Sequence, residues 1–426
     1  VKKTIRTTMV MGALATVVGV AGCDDPSVCG GPGVMCTVMG TGTPGLGKDG
    51  VAPDKVQLYL PQDMTQGPDG KLYVLDWNNH RVRTVIDGKV VTVLGTGSLG
   101  DALEGPALAA SLNHPTHLTF SPTGKMIMSA WHNSKVMEVD LAAGTLRNLC
   151  GTGVRSYSGD GGAALMAVLD LPVATVFDSS GRMLIMDQGN QRVRRVDAAG
   201  LIDTVVGPPK TYVHVPPGFT RACFDDGMGG QACKVCRTEF AMDPNCEGTT
   251  FKPQGFGGDG GPATAAFMFQ PFSQSAPPAG RMDMGPGDRL FFTDTGNQRV
   301  RVVEADGTIR TVAGSGPETF DINYIGGYSG DGGPAIAAKL QRPTDVAVSA
   351  DGSFYIADTD NHCVRKVDAA GIITTFAGRC GVRGFDGDSG LANQALLDRP
   401  YGVEIGSMGE VYIADTHNHR IRVVWP

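Results

Sequence analysis

Hydrophobic and polar positions along this chain alternate in bursts of four to seven residues, and the bursts come in fours. One set reads Thr344-Asp-Val-Ala-Val348, then Phe354-Tyr-Ile-Ala-Asp358, then Val364-Arg-Lys-Val367, then Ile372-Ile-Thr-Thr-Phe-Ala-Gly378. β-Branched and aromatic residues fill the bursts, and glycine, proline and Asx clusters separate them. This pattern predicts four short antiparallel strands per set and no long helix.

The set repeats in strict register. An Asp-x-x-Asn run followed by alternating valine and arginine occupies Asp76 to Arg83 and recurs from Asp187, Asp294, Asp358 and Asp415, with a weaker copy at Ala130-Trp-His-Asn133. A proline stands fifteen residues before this anchor at Pro61, Pro115, Pro172, Pro343 and Pro400, whereas Pro271 stands 23 before Asp294, an insertion of eight. Three residues before each proline is Leu58, Leu112, Leu169, Met268, Leu340 or Leu397. Four-stranded units repeated in this way describe the blades of a β-propeller. The last unit stops after its third strand, at Ile421–Trp425, and Val34–Gly40 has the form of an orphan fourth strand. Pairing the two closes an all-β, six-bladed ring over residues 34–426, with no exposed sheet edge. The closing strand is expected to enter from the face opposite the linkers.

These residues resemble the NHL-repeat family. Asn79-His80, Asn361-His362 and Asn418-His419 match the first two letters of the Asn-His-Leu tripeptide, and Gln191 and Gln298 replace the histidine in two copies. The linker Tyr328-Ser-Gly-Asp-Gly-Gly-Pro-Ala335 is similar to the glycine-rich linker of bacterial and teneurin-type NHL propellers. The resemblance implies the propeller fold. It leaves function open, because the family includes binding scaffolds, RNA binders and a zinc-dependent peptide-amidating lyase.

Composition narrows the choice. The formal net charge of −7 offers no basic excess, which sets nucleic acid aside as a partner. At the N-terminus, Lys2, Lys3 and Arg6 precede an apolar stretch from Thr8 to Val20, too short for a membrane span of ~20 residues. Val20-Ala-Gly-Cys23 resembles the lipobox of bacterial lipoproteins. By that resemblance residues 1–22 are a signal peptide, Cys23 is lipidated and residues 23–33 are a tether. The expected location is the cell envelope, periplasmic or outer-surface, with the membrane reached through the lipid alone and the face opposite the linkers turned toward it.

Two groups of residues are candidates for chemistry. Asp160, Asp259, Asp331 and Asp388, with looser counterparts at Asp49 and Asp101, lie in the glycine-rich linkers and are expected to gather on one face. Calcium, a hard cation, takes several such oxygen ligands. Repetition in nearly every blade fits turn closure better, aspartate capping a loop whose glycines take φ > 0. An insertion at 208–256 carries Cys223, Cys233, Cys236 and Cys246. Two disulfides would staple a loop this long in an exported protein, and a zinc site of four thiolates is the alternative. Cys363 and Cys380 flank the third and fourth strands of one blade and are placed to pair. The nine cysteines after Cys23 are odd in number, so one is expected to be free or bonded to another chain. Arg83, Arg194, Arg301, Arg365 and Arg422 occupy one column and suit ion pairs within or between blades. His117 begins an inner strand and His132 and His417 lie in turns, but no spacing fixes a zinc triad. The expected function is therefore recognition of a protein, peptide or glycan through the loop face. A metal-dependent lyase or hydrolase in the central pore is the alternative.

Overall fold

The computed structural model describes residues 31–208, 255–271, 277–317, 321 and 324–425, together with the backbone of the strands Phe219–Asp225 and Gln231–Arg237. Six antiparallel sheets form the blades, and their inner strands are Asp63–Gln66, His117–Phe120, Pro172–Phe177, Met282–Gly285, Pro343–Val348 and Gly402–Ile405 in blades one to six. The ring closes as expected. Val34–Met39 runs antiparallel to Arg420–Val424, with Met35 opposite Val424, and supplies the missing outer strand of blade six. The Gly33 N–H donates to the Trp425 carbonyl, so the chain enters opposite the Asp-x-x-Asn turns.

The repeat residues each have a mechanical task. Leu58, Leu112, Leu169, Met268, Leu340 and Leu397 are fully buried where each linker passes between blades. The anchor asparagine donates to its own aspartate and to a linker carbonyl, as in Asn361 to Asp358 and to Gly327, both at 2.8 Å. The next residue is left-handed, with φ near 50–57° at His80, Gln191, Gln298, His362 and His419. Its side chain accepts the N–H of the following blade's entry: His419 Nδ1 from Leu60 at 3.1 Å, His362 Nδ1 from Arg399 at 3.2 Å and Gln191 Oε1 from Gln270 at 2.6 Å. Glutamine substitutes for histidine because the position needs only an acceptor of that reach.

The linkers depart from expectation. After the outer strand the chain does not stay on one face. It descends the outer flank of the next blade, where Gly105–Pro106, Gly162–Ala163 and Gly390–Leu391 add a two-residue fifth strand to three of the blades. The five linker aspartates at this position therefore lie on separate flanks and do not gather. Each is bonded to the buried arginine of its own blade: Asp49–Arg83 at 2.8 Å, Asp160–Arg194 at 2.5 Å, Asp259–Arg301 at 2.6 Å, Asp331–Arg365 at 2.6 Å and Asp388–Arg422 at 2.8 Å. The anchor aspartate lies on the other side of the same guanidinium, 3.2–3.5 Å away in all five blades. Of the two carboxylates, the linker one carries most of the pairing. Burial pushes Asp358 up to about 7. Asp331 is held low despite partial burial by the Thr375 hydroxyl and the Arg365 charge.

Blade two is the exception, and it is a coherent one. Ala130 replaces the anchor aspartate, Met137 the arginine and Leu103 the linker aspartate, all at the same register. Removing one member would strand a buried charge, whereas losing all three leaves Ala130 and Met137 buried with no charge to match and Leu103 on the surface. Arg365→Met alone is accordingly expected to lower unfolding free energy by about 3–5 kcal/mol. Adding Asp358→Ala and Asp331→Leu, which copies blade two, should restore most of it. Urea denaturation of the single and triple variants checks this, and a triple variant no more stable than the single would refute the ion-network account.

Candidate functional site

The channel is lined by one residue at matching register in or just before each inner strand: Asp63, His117, Ala174, Arg281, Asp345 and Gly402. Arg281 reaches across the axis. It donates to the carbonyls of Gln62 at 2.8 Å, Thr116 at 2.7 Å and Tyr401 at 3.3 Å, and pairs with Asp63 and Asp345, each at 3.3 Å. One guanidinium thus ties four other blades together. The small residues make room: a Cβ on Gly402 would meet the Gln62 carbonyl at 2.5 Å and Arg281 Nη1 at 3.0 Å. Burial pushes the Asp63 carboxyl up, and also the Asp283 carboxyl below it, each to about 7. Burial likewise pushes the His117 imidazole down to about 3, with Arg281 adding to the effect.

Above this plug, at the mouth carrying the Asp-x-x-Asn turns, lies a cavity of about 320 Å³. Six rings line it: Trp77, His114, Trp131, His132, Tyr401 and His417. Its position follows from a break in the repeat. The residue after the anchor aspartate is normally a clasp to the next blade. Thr295, Thr359 and Thr416 donate to the carbonyls of Pro343, Pro400 and Pro61 at 2.6–2.7 Å. Gln188 does the same to the blade-four linker, at 3.0 Å to Pro277. In blades one and two that residue is Trp77 or Trp131. The Trp131 indole N–H donates to Gln188 Oε1 at 3.0 Å, and its ring stacks on His132 at 4.1 Å. His114 packs edge-on against both His132 and His80, at 5.2 and 4.6 Å, and against Trp77 at 4.7 Å.

Three polar atoms of the lining residues are buried away from the cavity and have no hydrogen-bond partner among the described residues: Trp77 Nε1, His132 Nε2 and Gln62 Oε1. A buried polar atom left unpaired costs about 1–3 kcal/mol. The histidines are uncharged. Burial, with His114 nearby, pushes His80 and His132 each down to about 4.

Comparison with known proteins places this architecture. The model of the teneurin NHL domain matches residues 32–223 and 304–384, and that of the NHL repeat matches residues 397–424. The chain belongs to the teneurin NHL domain family. Mouse teneurin-4 is 26% identical over 403 residues, covering 87% of this chain. The chain spans only 12% of that teneurin's length, so the match is to one domain of a much larger protein. Human NHL repeat-containing protein 2 is 32% identical over 143 residues, 33% of this chain and 19% of its own. An auxiliary nutrient binding protein from Bacteroides thetaiotaomicron shares the fold at a TM-score of 0.54 and 14% identity, covering 91% of this chain and 75% of its own.

Within this NHL propeller the residues singled out from sequence are scattered. Asp160, Asp259, Asp331 and Asp388 are engaged with arginine and threonine on separate flanks. Among the described residues no three His, Cys, Asp or Glu side chains are arranged to hold a metal ion. Cys363 and Cys380 are joined in a disulfide, Cα atoms 5.0 Å apart. Cys150 is a buried free thiol, and burial pushes it up to about 12. In the insertion, Cys223 stands directly opposite Cys233 across the hairpin and Cys236 opposite Thr220. Their side chains, Cys246 and Cys23 lie outside the described residues. The mouth cavity was not anticipated. Its signal was present as a departure from the repeat, tryptophan where four other blades carry threonine or glutamine.

The neutral mouth histidines give a direct test. For His80 and His132 the folded values, about 4, lie below the unfolded value of 6.5. The unfolded chain therefore binds protons first, and the stability these groups contribute is full above about 6.5 and lost as pH falls toward 4. Their imidazole Cε1 resonances should hold the neutral position from pH 8 to about 5.5. A His132 midpoint near 6.5 would contradict the buried setting.

Proposed function

We propose that this NHL propeller is an envelope-tethered recognition module that takes its ligand at the turn-face mouth of the central channel. The observation that carries the reading is the mouth itself. The clasp of the other four blades gives way there to two adjacent tryptophans beside a cavity of about 320 Å³. Pockets of this kind, mostly apolar with a few convergent polar groups, are the usual form of a ligand site. The channel below is closed by Arg281, so a ligand enters from the mouth and meets a rigid floor. The nutrient binding protein that shares the fold is consistent with a binding role, at the level of architecture.

Two tryptophans of the chain's three line this cavity, so intrinsic fluorescence reports on it. Titration with panels of soluble peptides and oligosaccharides should yield at least one that shifts the emission saturably. Trp77→Ala should weaken that response by about tenfold or more, as for an aromatic anchor. Binders indifferent to Trp77 and Trp131 would place recognition elsewhere.

The tether is proposed from the lipobox-like Val20–Cys23 run. Gly33 emerges opposite the mouth, which would hold the plain face to the membrane and the mouth away from it. The eleven residues from Cys23 to Gly33 reach at most about 40 Å. Cys23→Ala should move the protein from the membrane fraction to the soluble fraction and abolish incorporation of labelled palmitate. A variant that stays membrane-bound would refute the anchor.

A further inference from the structure

The channel below the mouth carries four carboxylates and one cation. At the upper level Asp63 and Asp345 share a single nitrogen of Arg281, each at 3.3 Å, so one charge serves two. Two residues further along the inner strands stand Asp283, below Arg281, and Glu404, below Gly402. Neither forms an ion pair among the described residues. The other residues at these two levels bring no cation: His117 and Thr119 from blade two, Ala174 and Val176 from blade three, Thr65 from blade one and Ala347 from blade five. The His117 imidazole is neutral, and its Nδ1 accepts the Thr175 N–H at 3.4 Å.

The same carboxylates join neighbouring blades on the inside of the ring. Asp63 accepts the Leu118 N–H at 2.7 Å, Asp283 the Val348 N–H at 2.7 Å and Asp345 the Val403 N–H at 3.0 Å. Between blades six and one, where the two ends of the chain meet, Glu404 accepts the Thr65 hydroxyl at 3.1 Å.

Withdrawn from water, four like charges around one guanidinium repel one another, and the lower-energy state binds protons. Burial raises the Glu404 carboxyl well above its ordinary range, with the Asp283 and Asp63 charges adding to the effect. Burial likewise raises Asp345 to about 6. Groups coupled in this way take up and release protons as a set. Asp283 and Glu404 retain some accessible surface, which gives protons a route to the layer.

We propose that this layer is a pH-sensitive joint. Protons bound among the four carboxylates keep blades six and one together across the Thr65–Glu404 contact, and their loss as pH rises sets like charges against each other at that seam. The joint acts irrespective of what the mouth binds.

Thermal unfolding of the full chain and its Glu404→Gln variant tests this. Glutamine keeps the acceptor for Thr65 and cannot ionise. Because the folded value of Glu404 lies above the unfolded 4.5, its stabilising contribution is full below about 4.5 and is lost as pH rises. Glu404→Gln should therefore melt within about 1 °C of the native chain at pH 5 and at least about 3 °C above it at pH 8.5. Thr65→Val, which removes the hydroxyl that helps hold the Glu404 charge, should cost more melting temperature at pH 8.5 than at pH 5. Amide exchange, corrected for its intrinsic pH dependence, should quicken at Gly402–Ile405 relative to the other inner strands in the native chain at pH 8.5, and not in Glu404→Gln. The native chain at pH 7 should also show the infrared band of a protonated carboxylic acid, reduced in Glu404→Gln. Melting differences that are the same at both pH values for both variants would overturn the joint, as would a carboxylic-acid band unaffected by Glu404→Gln. Exchange that quickens equally in all inner strands would overturn its assignment to the seam between blades six and one.

Discussion

A guanidinium withdrawn from water needs carboxylates beside it, and five of the six blades are organised around that requirement. The arginine of the third strand is fully buried in each. Its anchor aspartate comes from the end of the second strand and its linker aspartate from the segment that arrives from the preceding blade. One buried cation therefore fixes the path of the linker against the flank of the blade it precedes. The asparagine and the left-handed histidine or glutamine complete the arrangement, holding the linker on one side and the next blade's entry on the other. This explains the rigid spacing of the repeat: moving any member by one residue would leave a buried charge or N–H without a partner.

The same constraint explains where the symmetry fails. Blade two has lost the whole ionic set together and packs Met137 in the place of the arginine. Its entry and its turn supply His114, Trp131 and His132 to the mouth. Along the axis, Arg281 is an asymmetric solution of the same kind, one cation shared with four other blades across the channel and accommodated by Gly402. A ring of identical blades would have an unobstructed, featureless channel. Two local departures turn it into a floored cavity with aromatic walls.

The fold was legible because its determinants are local and repeated. The alternation of apolar residues, the proline, the anchor and the orphan strand at Val34 required six strand sets and one closure, and the structure has both. The Cys363–Cys380 pairing was also within reach, since the two positions flank adjacent strands of one sheet. The site was less legible. Asp160, Asp259, Asp331 and Asp388 drew attention because they recur, yet recurrence marks what every blade needs to fold. Trp77, Trp131 and Arg281 occupy positions where the repeat is broken, and that departure was the better guide.

By itself, then, the sequence determined the number of blades, their strand order, the closure and the residues that hold each blade, because these depend on contacts within one unit or between consecutive units. Only the tertiary structure decided that the linkers descend the outer flanks, that Arg281 spans the axis and that rings from blades one, two and six meet above it. Those contacts join residues such as Trp77, Trp131 and Tyr401, far apart in the chain. Their proximity is set by ring closure, which no single repeat encodes.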